Sequence, residues 1–194
     1  MLRNICGVYT VCGKEITNPL DSNCYLVEKD GYSYMVDAGS GLSTNEILSN
    51  VFQIIKSIKK LKAIINTHCH YSNSGGDYFF SNLGLPIIAH EPDSFDISSR
   101  ERVECADIDY KPYPSRVTLS LRNKVDKLSE LGVITINFPY ITEGSIIVID
   151  NERKVAFIDH SETLERNYQE LIGIFKDYSV QCICDSLKCF RVKY

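Results

Sequence analysis

A short apolar run, Ala63-Ile64-Ile65-Asn66, has the composition of a buried strand, and it leads directly into Thr67-His68-Cys69-His70. Gly75-Gly76 follows, at the start of a segment with helical spacing. This combination constrains the chain more than any other feature. Two histidines at i and i+2 on an extended loop project to the same side, where neutral imidazoles can share a metal at about 2.0–2.1 Å. A loop leaving the end of a buried strand is also where open α/β folds gather their sites. An HxH pair alone says little. Its setting of strand, Thr, HxH and Gly-Gly says more.

The surrounding pattern predicts alternating strands and helices. Strands are expected over 7–12, 23–28, 32–36, 63–66 and 86–90. Ser43 with Glu46 has the spacing of a capping box, opening a helix whose apolar stripe is Ile47, Val51, Ile54, Ile55, Ile58 and Leu61. A second helix is expected from Gly76 to Gly84, and Glu91 to Tyr113 reads as irregular. Val117, Leu121, Val125, Leu128 and Leu131 predict a helix over 114–131, stopped by Gly132. Strands follow at 133–138, 145–150, 155–158 and 180–184, with a helix capped by Ser161 before the last. With 194 residues and no linker or repeat, one domain spanning 1–194 is expected.

The composition excludes some functions. A net charge of -4 offers no general attraction to nucleic acid or an anionic membrane, and Lys56 to Lys62 reads as a solvated basic face. No run is apolar enough to span a bilayer, and the first residues lack a signal-like apolar segment, so a cytoplasmic protein is expected. The eight cysteines show no CxxC spacing. They are expected to be reduced and buried, with intracellular disulfides as the other option.

The motifs, taken in order, resemble the metallo-β-lactamase superfamily. The family loop THxHxDHxGG reads here Thr67-His68-Cys69-His70-Tyr71-Ser72-Asn73-Ser74-Gly75-Gly76. Asn23 to Val27 resembles the early NxYLI strand, Val36 to Gly39 the IDTG strand end, and Pro86 to Glu91 the strand after the loop helix. Gly144 to Asp150 resembles the strand after the GHTPGS turn, and Val155 to Asp159 the strand ending in the bridging Asp. The resemblance implies an α/β fold, an αββα sandwich of two β-sheets flanked by helices, with metals at one edge.

The departures from the family pattern shape the functional expectation. Ser72 and Asn73 stand where the second metal's Asp and His belong, Ile141 stands for the His of GHTPGS, and no His follows His160. His68, His70 and Asp159 remain as implied ligands, with Cys184 and Asp185 as possible additions near the place of the final His. Asp37 is expected to brace the loop, and Asp159 to serve as the catalytic carboxylate if the site works. His90 and His160 are expected to be structural. A dinuclear site is not expected, and at most one Zn or Fe is.

The leading expectation is therefore a degenerate member without the family's two-metal hydrolase activity. The alternative is a mononuclear (Zn or Fe) hydrolase of an ester, thioester, lactone or phosphodiester. An enzyme would take a small-molecule substrate, and a non-enzyme an unknown protein partner. A third reading, redox chemistry at iron or among the clustered cysteines, would be marked by a disulfide among Cys182, Cys184 and Cys189. Cys182 and Cys184 are not expected to bond each other from one strand.

Overall fold

The computed structural model describes residues 4–101, 110–159 and 166–192. The first sheet holds β1 (Asn4–Ile5), β2 (Val8–Cys12), β3 (Cys24–Glu28), β4 (Ser33–Val36), β5 (Leu61–Ile65), β6 (Ile87–His90) and β7 (Leu119–Leu121), hydrogen-bonded in that order. It is antiparallel through β4 and parallel from β4 to β7. The second sheet has the order β13 (Cys189–Arg191), β12 (Cys182–Cys184), β11 (Val155–Phe157), β10 (Ile146–Asp150), β9 (Val133–Asn137) and β8 (Val125–Leu128).

Three apolar layers hold the sandwich together. Between the sheets, Val27, Tyr34, Val36, Ile65 and Ile88 face Val133, Val148 and Phe157. The outer face of the first sheet, with Leu26, Met35, Ile64 and Ile87, packs on Ile47, Val51 and Ile55 of α1 (Thr44–Ile55) and on Phe80. On the second sheet, Ile147, Ile149, Ala156 and Ile183 pack against Leu171 and Phe175 of the helix Tyr168–Asp177. The parallel strands are covered on both faces, which explains why β5 and β6 read as continuous apolar runs rather than as alternation.

Several elements differ from the sequence expectation. Residues 114–131 form no helix: β7 pairs with β6, and β8 with β9, around an Arg122–Lys124 turn in which Asp126 accepts from the Asn123 backbone and amide. The residues of the expected stripe part company: Leu121, Leu128 and Leu131 face the layer between the sheets, Val117 packs on the outer face of the first sheet and Val125 is exposed, so strand pairing and not one helical face organises the segment. The segment 91–113 is not all irregular, since Asp93–Ser99 is helical. α1 stops at Ile55 because Lys56 turns left-handed (φ 59°), so Leu61 belongs to β5 and not to the helix stripe. Ser43 precedes α1 without capping it, and its hydroxyl is given to Asp21 instead. Ser161, Leu164 and His160 lie outside the described residues.

At the end of the sandwich away from the loop, Lys29 and Asp150 form a buried ion pair (2.9 Å) that Tyr34 completes by donating to Asp150 (2.7 Å). This ties β3 and β4 to β10 across the two sheets. Disulfides add further ties: Cys6–Cys182 joins the turn before β2 to the second sheet, and Cys184–Cys189 joins β12 to β13. Cys69 is also disulfide-bonded. The expectation of reduced cysteines therefore holds only for Cys12 and Cys24 among the described residues. Cys182 and Cys184 do not bond each other, as the geometry of one strand requires.

Candidate metal centre

β5 delivers the loop. Its last residues run into Thr67 and His68, both 1% exposed, and the Ile146 N–H donates to the Thr67 carbonyl (2.8 Å), fixing the loop to the second sheet. The His68 and His70 rings meet edge-on with centroids 4.6 Å apart, so the side-by-side projection expected of HxH is present.

Thr67 connects the pair to a buried carboxylate. Its backbone N–H and its hydroxyl both approach Asp37 (2.8 and 2.9 Å), and its Oγ1 lies 3.0 Å from His68 Nδ1. A hydroxyl has one proton, so the arrangement that satisfies both contacts is His68 Nδ1–H to Thr67 Oγ1 and Thr67 O–H to Asp37. In that tautomer Nε2 is the nitrogen through which His68 would bind a metal, and an outer carboxylate fixes the ring, as metal-binding imidazoles require. Burial pushes the Asp37 carboxyl up to about 7, with hydrogen bonds from Thr67 and Asn73 opposing the rise. Asp37 thus accepts from Thr67 at the start of the loop and from Asn73 further along it.

Asn73, which stands for a second-metal histidine, is 1% exposed and donates its amide to Asp37 (2.9 Å), while Ser72 donates to Asn73 (2.9 Å). Two positions that would hold a metal are thus built into the loop's own hydrogen bonding. The Gly-Gly pair has a packing reason: a Cβ on Gly75 would run into the Ser40 carbonyl, and one on Gly76 into that of Ala38.

Asp159 is 3% exposed and lies two residues beyond the end of β11, and repulsion from it adds to the rise of the Asp37 carboxyl. Its carbonyl accepts from the Ser186 N–H (3.2 Å), so the Asp185–Lys188 turn sits beside it. Asp185 is buried, but its Oδ1 accepts from the Leu187 and Lys188 N–H groups (2.7 and 2.8 Å), the work of a turn residue. Cys184 is bonded to Cys189 and offers no thiolate, which removes it as an additional ligand in this state. That bond is the mark expected of the redox reading, yet it links directly opposed residues of a hairpin. His90 lies with its ring nitrogens at the Glu91 and Asn123 carbonyls, a structural role as expected.

Two supporting residues had no sequence signal. Asp93 accepts from the Cys69 N–H (2.8 Å), the Thr142 hydroxyl (2.5 Å) and the Gly144 N–H (3.1 Å), joining the His loop to the turn that carries Ile141. A Cβ on Gly144 would come within 2.6 Å of Asp93. Arg100 is 1% exposed and donates to the Cys69 carbonyl (3.1 Å), the Ser74 hydroxyl (2.9 Å) and the Ser74 carbonyl (2.6 Å). Cys69, Asp93 and Asp96 also cluster, with ligand atoms within 4.8 Å of one another. With Cys69 in a disulfide and both Asp93 oxygens accepting hydrogen bonds, that cluster is support for the loop and not a metal site.

Beneath the loop, burial pushes the Asp77 carboxyl up to about 7, although Arg100 and the Asn66 amide pull it down. Its folded value lies above the ordinary carboxylate value, so its contribution to stability is full below about pH 4 and is lost as pH rises through about 7. Metal-free protein is expected to lose on the order of 1–3 kcal/mol of stability from about pH 5 to about pH 8, and Asp77→Asn to flatten that slope by about one proton. Urea unfolding across pH tests this; equal slopes in the two proteins would show that Asp77 does not titrate there.

No helix among the described residues is long and apolar enough to cross a membrane. The model of the metallo-β-lactamase superfamily matches residues 17–158. A probable metallo-hydrolase of Methanocaldococcus jannaschii is 25% identical over 130 residues, 66% of this chain and 62% of the relative, so the chain spans under two thirds of that protein's length. Among solved structures, the DIM-1 metallo-β-lactamase superposes with a TM-score of 0.73 at 14% identity, covering 98% of this chain and 91% of the other. The Rm3 metallo-β-lactamase gives 0.69 at 15%, covering 95% and 77%. A metallo-β-lactamase of Cronobacter sakazakii gives 0.67 at 19%, covering 93% and 77%. These likenesses show the sandwich fold, and the family model, which covers most of the sequence with the His loop inside it, places the chain in the metallo-β-lactamase superfamily.

Proposed function

We propose that this chain is a one-metal hydrolase built on the His68–His70 pair, with Asp159 as the third protein group. The observation that carries this reading is the line from His68 Nδ1 through Thr67 to Asp37. Holding a carboxylate at 3% exposure to orient one imidazole is costly in a structure that has no use for the ring nitrogen. Two imidazoles and a carboxylate suit Zn or Fe(II).

A metal held there supplies Lewis acidity toward a carbonyl or phosphoryl oxygen. The chain's own part is to fix the two rings through Thr67, Asp37 and Asp93, and to offer Asp159 as the carboxylate that takes a proton from water. Esters, thioesters, lactones and phosphodiesters all fit this chemistry.

A second reading, a binding protein that keeps the fold without catalysis, is favoured by Ile141 at a ligand position and by the commitment of the Asn73 amide to Asp37. Metal content separates the two. After dialysis against zinc, iron and manganese in turn, mass spectrometry is expected to find about one equivalent per chain, absent from His68→Ala/His70→Ala. Metal far below one equivalent with every ion, and a double variant as stable as the parent, would leave the binding protein as the answer.

A further inference from the structure

Cys12 ends β2 and Cys24 opens β3, and the antiparallel register sets them directly opposite, just beyond a bulge. Both are 0% exposed. Their thiols converge on one acceptor, the Ser22 carbonyl, at 3.4 and 3.7 Å. Opposed residues of an antiparallel pair have Cα atoms roughly 4.5–5.5 Å apart, inside the range a disulfide spans. Cys6, Cys69, Cys182, Cys184 and Cys189 are all disulfide-bonded, so a facing pair of reduced thiols is the exception among the described cysteines.

The segment between them reaches the candidate metal centre from two sides. The Ser22 N–H donates to the Ser72 carbonyl of the His loop (3.0 Å), and the Asn23 N–H to the Ser186 carbonyl beside Asp159 (2.9 Å). Asp21 accepts from the Ser40 N–H and hydroxyl (2.8 and 2.6 Å). We propose that Cys12 and Cys24 form a dithiol–disulfide couple, a modification site for disulfide-class oxidants, whose oxidation locks residues 13–23 against the metal loop.

The exchange balances with oxidised glutathione as the oxidant. One cysteine thiolate attacks a glutathione sulfur, breaks its S–S bond and releases one glutathione thiolate. The second cysteine thiolate attacks the mixed disulfide, forms the Cys12–Cys24 bond and releases the other. The two cysteine protons end on two glutathione thiols. Both sulfurs are buried, so exchange takes place while the loop is open or during folding.

The test uses the full chain, reduced, unfolded and refolded in a glutathione redox buffer, then unfolded in N-ethylmaleimide and mapped by mass spectrometry. Cys6–Cys182 and Cys184–Cys189 serve as internal controls for oxidation. The expected result is a Cys12–Cys24 linked peptide, with amide exchange at Ser22 and Asn23 slowed by about tenfold relative to protein with these two thiols reduced. In Cys12→Ala/Cys24→Ala, oxidant leaves those amides unchanged. Both thiols alkylated while the control bonds are formed would overturn the proposal. A linked peptide without any change in exchange would overturn the lock.

Discussion

Removing the Cys6–Cys182 disulfide is expected to cost about 5 kcal/mol, a large share of what holds a domain of this size together. The bond joins residues 176 apart in sequence, so in the unfolded chain it closes a loop of nearly the whole protein. Chain entropy grows with the logarithm of loop length, and the same argument gives Cys184–Cys189, five residues apart, only about 2 kcal/mol. Cys182 lies in the layer between the sheets with Cys6 packed against it, so the bridge also fastens the turn before β2 to β12. Cys6→Ala/Cys182→Ala isolates the effect while the other bonds stay oxidised. Urea unfolding should show a lower midpoint, and a somewhat larger m value because the released chain expands. A midpoint within error of the parent would show that the bond contributes little. Cys184→Ala/Cys189→Ala supplies the comparison: the loop-length argument requires it to fall clearly less.

Neither this pairing nor the lower half of the site was legible in the sequence. The His loop was readable because all its parts are local: a buried strand, alternating histidines and two glycines that must lie close to neighbouring carbonyls. α1 was readable for the same reason, since Ile47, Val51 and Ile55 lie on one face of it. The error at 114–131 arose because apolar spacing does not register strand pairing: β6 and β9 offer edges that take up β7 and β8, and the stripe residues are dealt to different faces. Ser43 and Asn73 show a different limit. Each has a side chain able to act locally, as a cap or as a weak ligand, and each spends it on a distant aspartate, Asp21 or Asp37. Eight cysteines admit too many pairings for spacing to choose among them.

Arg100, like Asp93, supports the site without any sequence pattern to announce it, and its replacement by Met is expected to cost about 3–5 kcal/mol. The side chain reaches back 31 positions to the Cys69 carbonyl and takes both oxygens of Ser74, so one guanidinium spans the His loop from its middle to the start of Gly75-Gly76. Its charge also lowers the carboxyl of Asp77, which is 0% exposed. Met fills similar volume but removes the guanidinium from the Ser74 carbonyl, leaves the Cys69 carbonyl with the Ser74 hydroxyl as its donor, and leaves Asp77 without its cation. The Asp77 value then rises further, so the loss should be smaller in acid, where Asp77 is neutral in both proteins, and larger toward alkaline pH. Arg100→Lys keeps the charge but not the fork, and one ammonium cannot reproduce three contacts fixed in a plane. It should therefore recover the pH dependence of Asp77 better than it recovers the stability. In both variants the two histidines lose the support beneath Cys69, so affinity for zinc should fall by roughly 10–100-fold, the range for outer-shell changes. Zinc titration and urea unfolding of the same preparations separate the two effects. Unchanged zinc affinity with lowered stability would confine Arg100 to the fold, whereas loss of both would make it the fixture on which the metal loop rests.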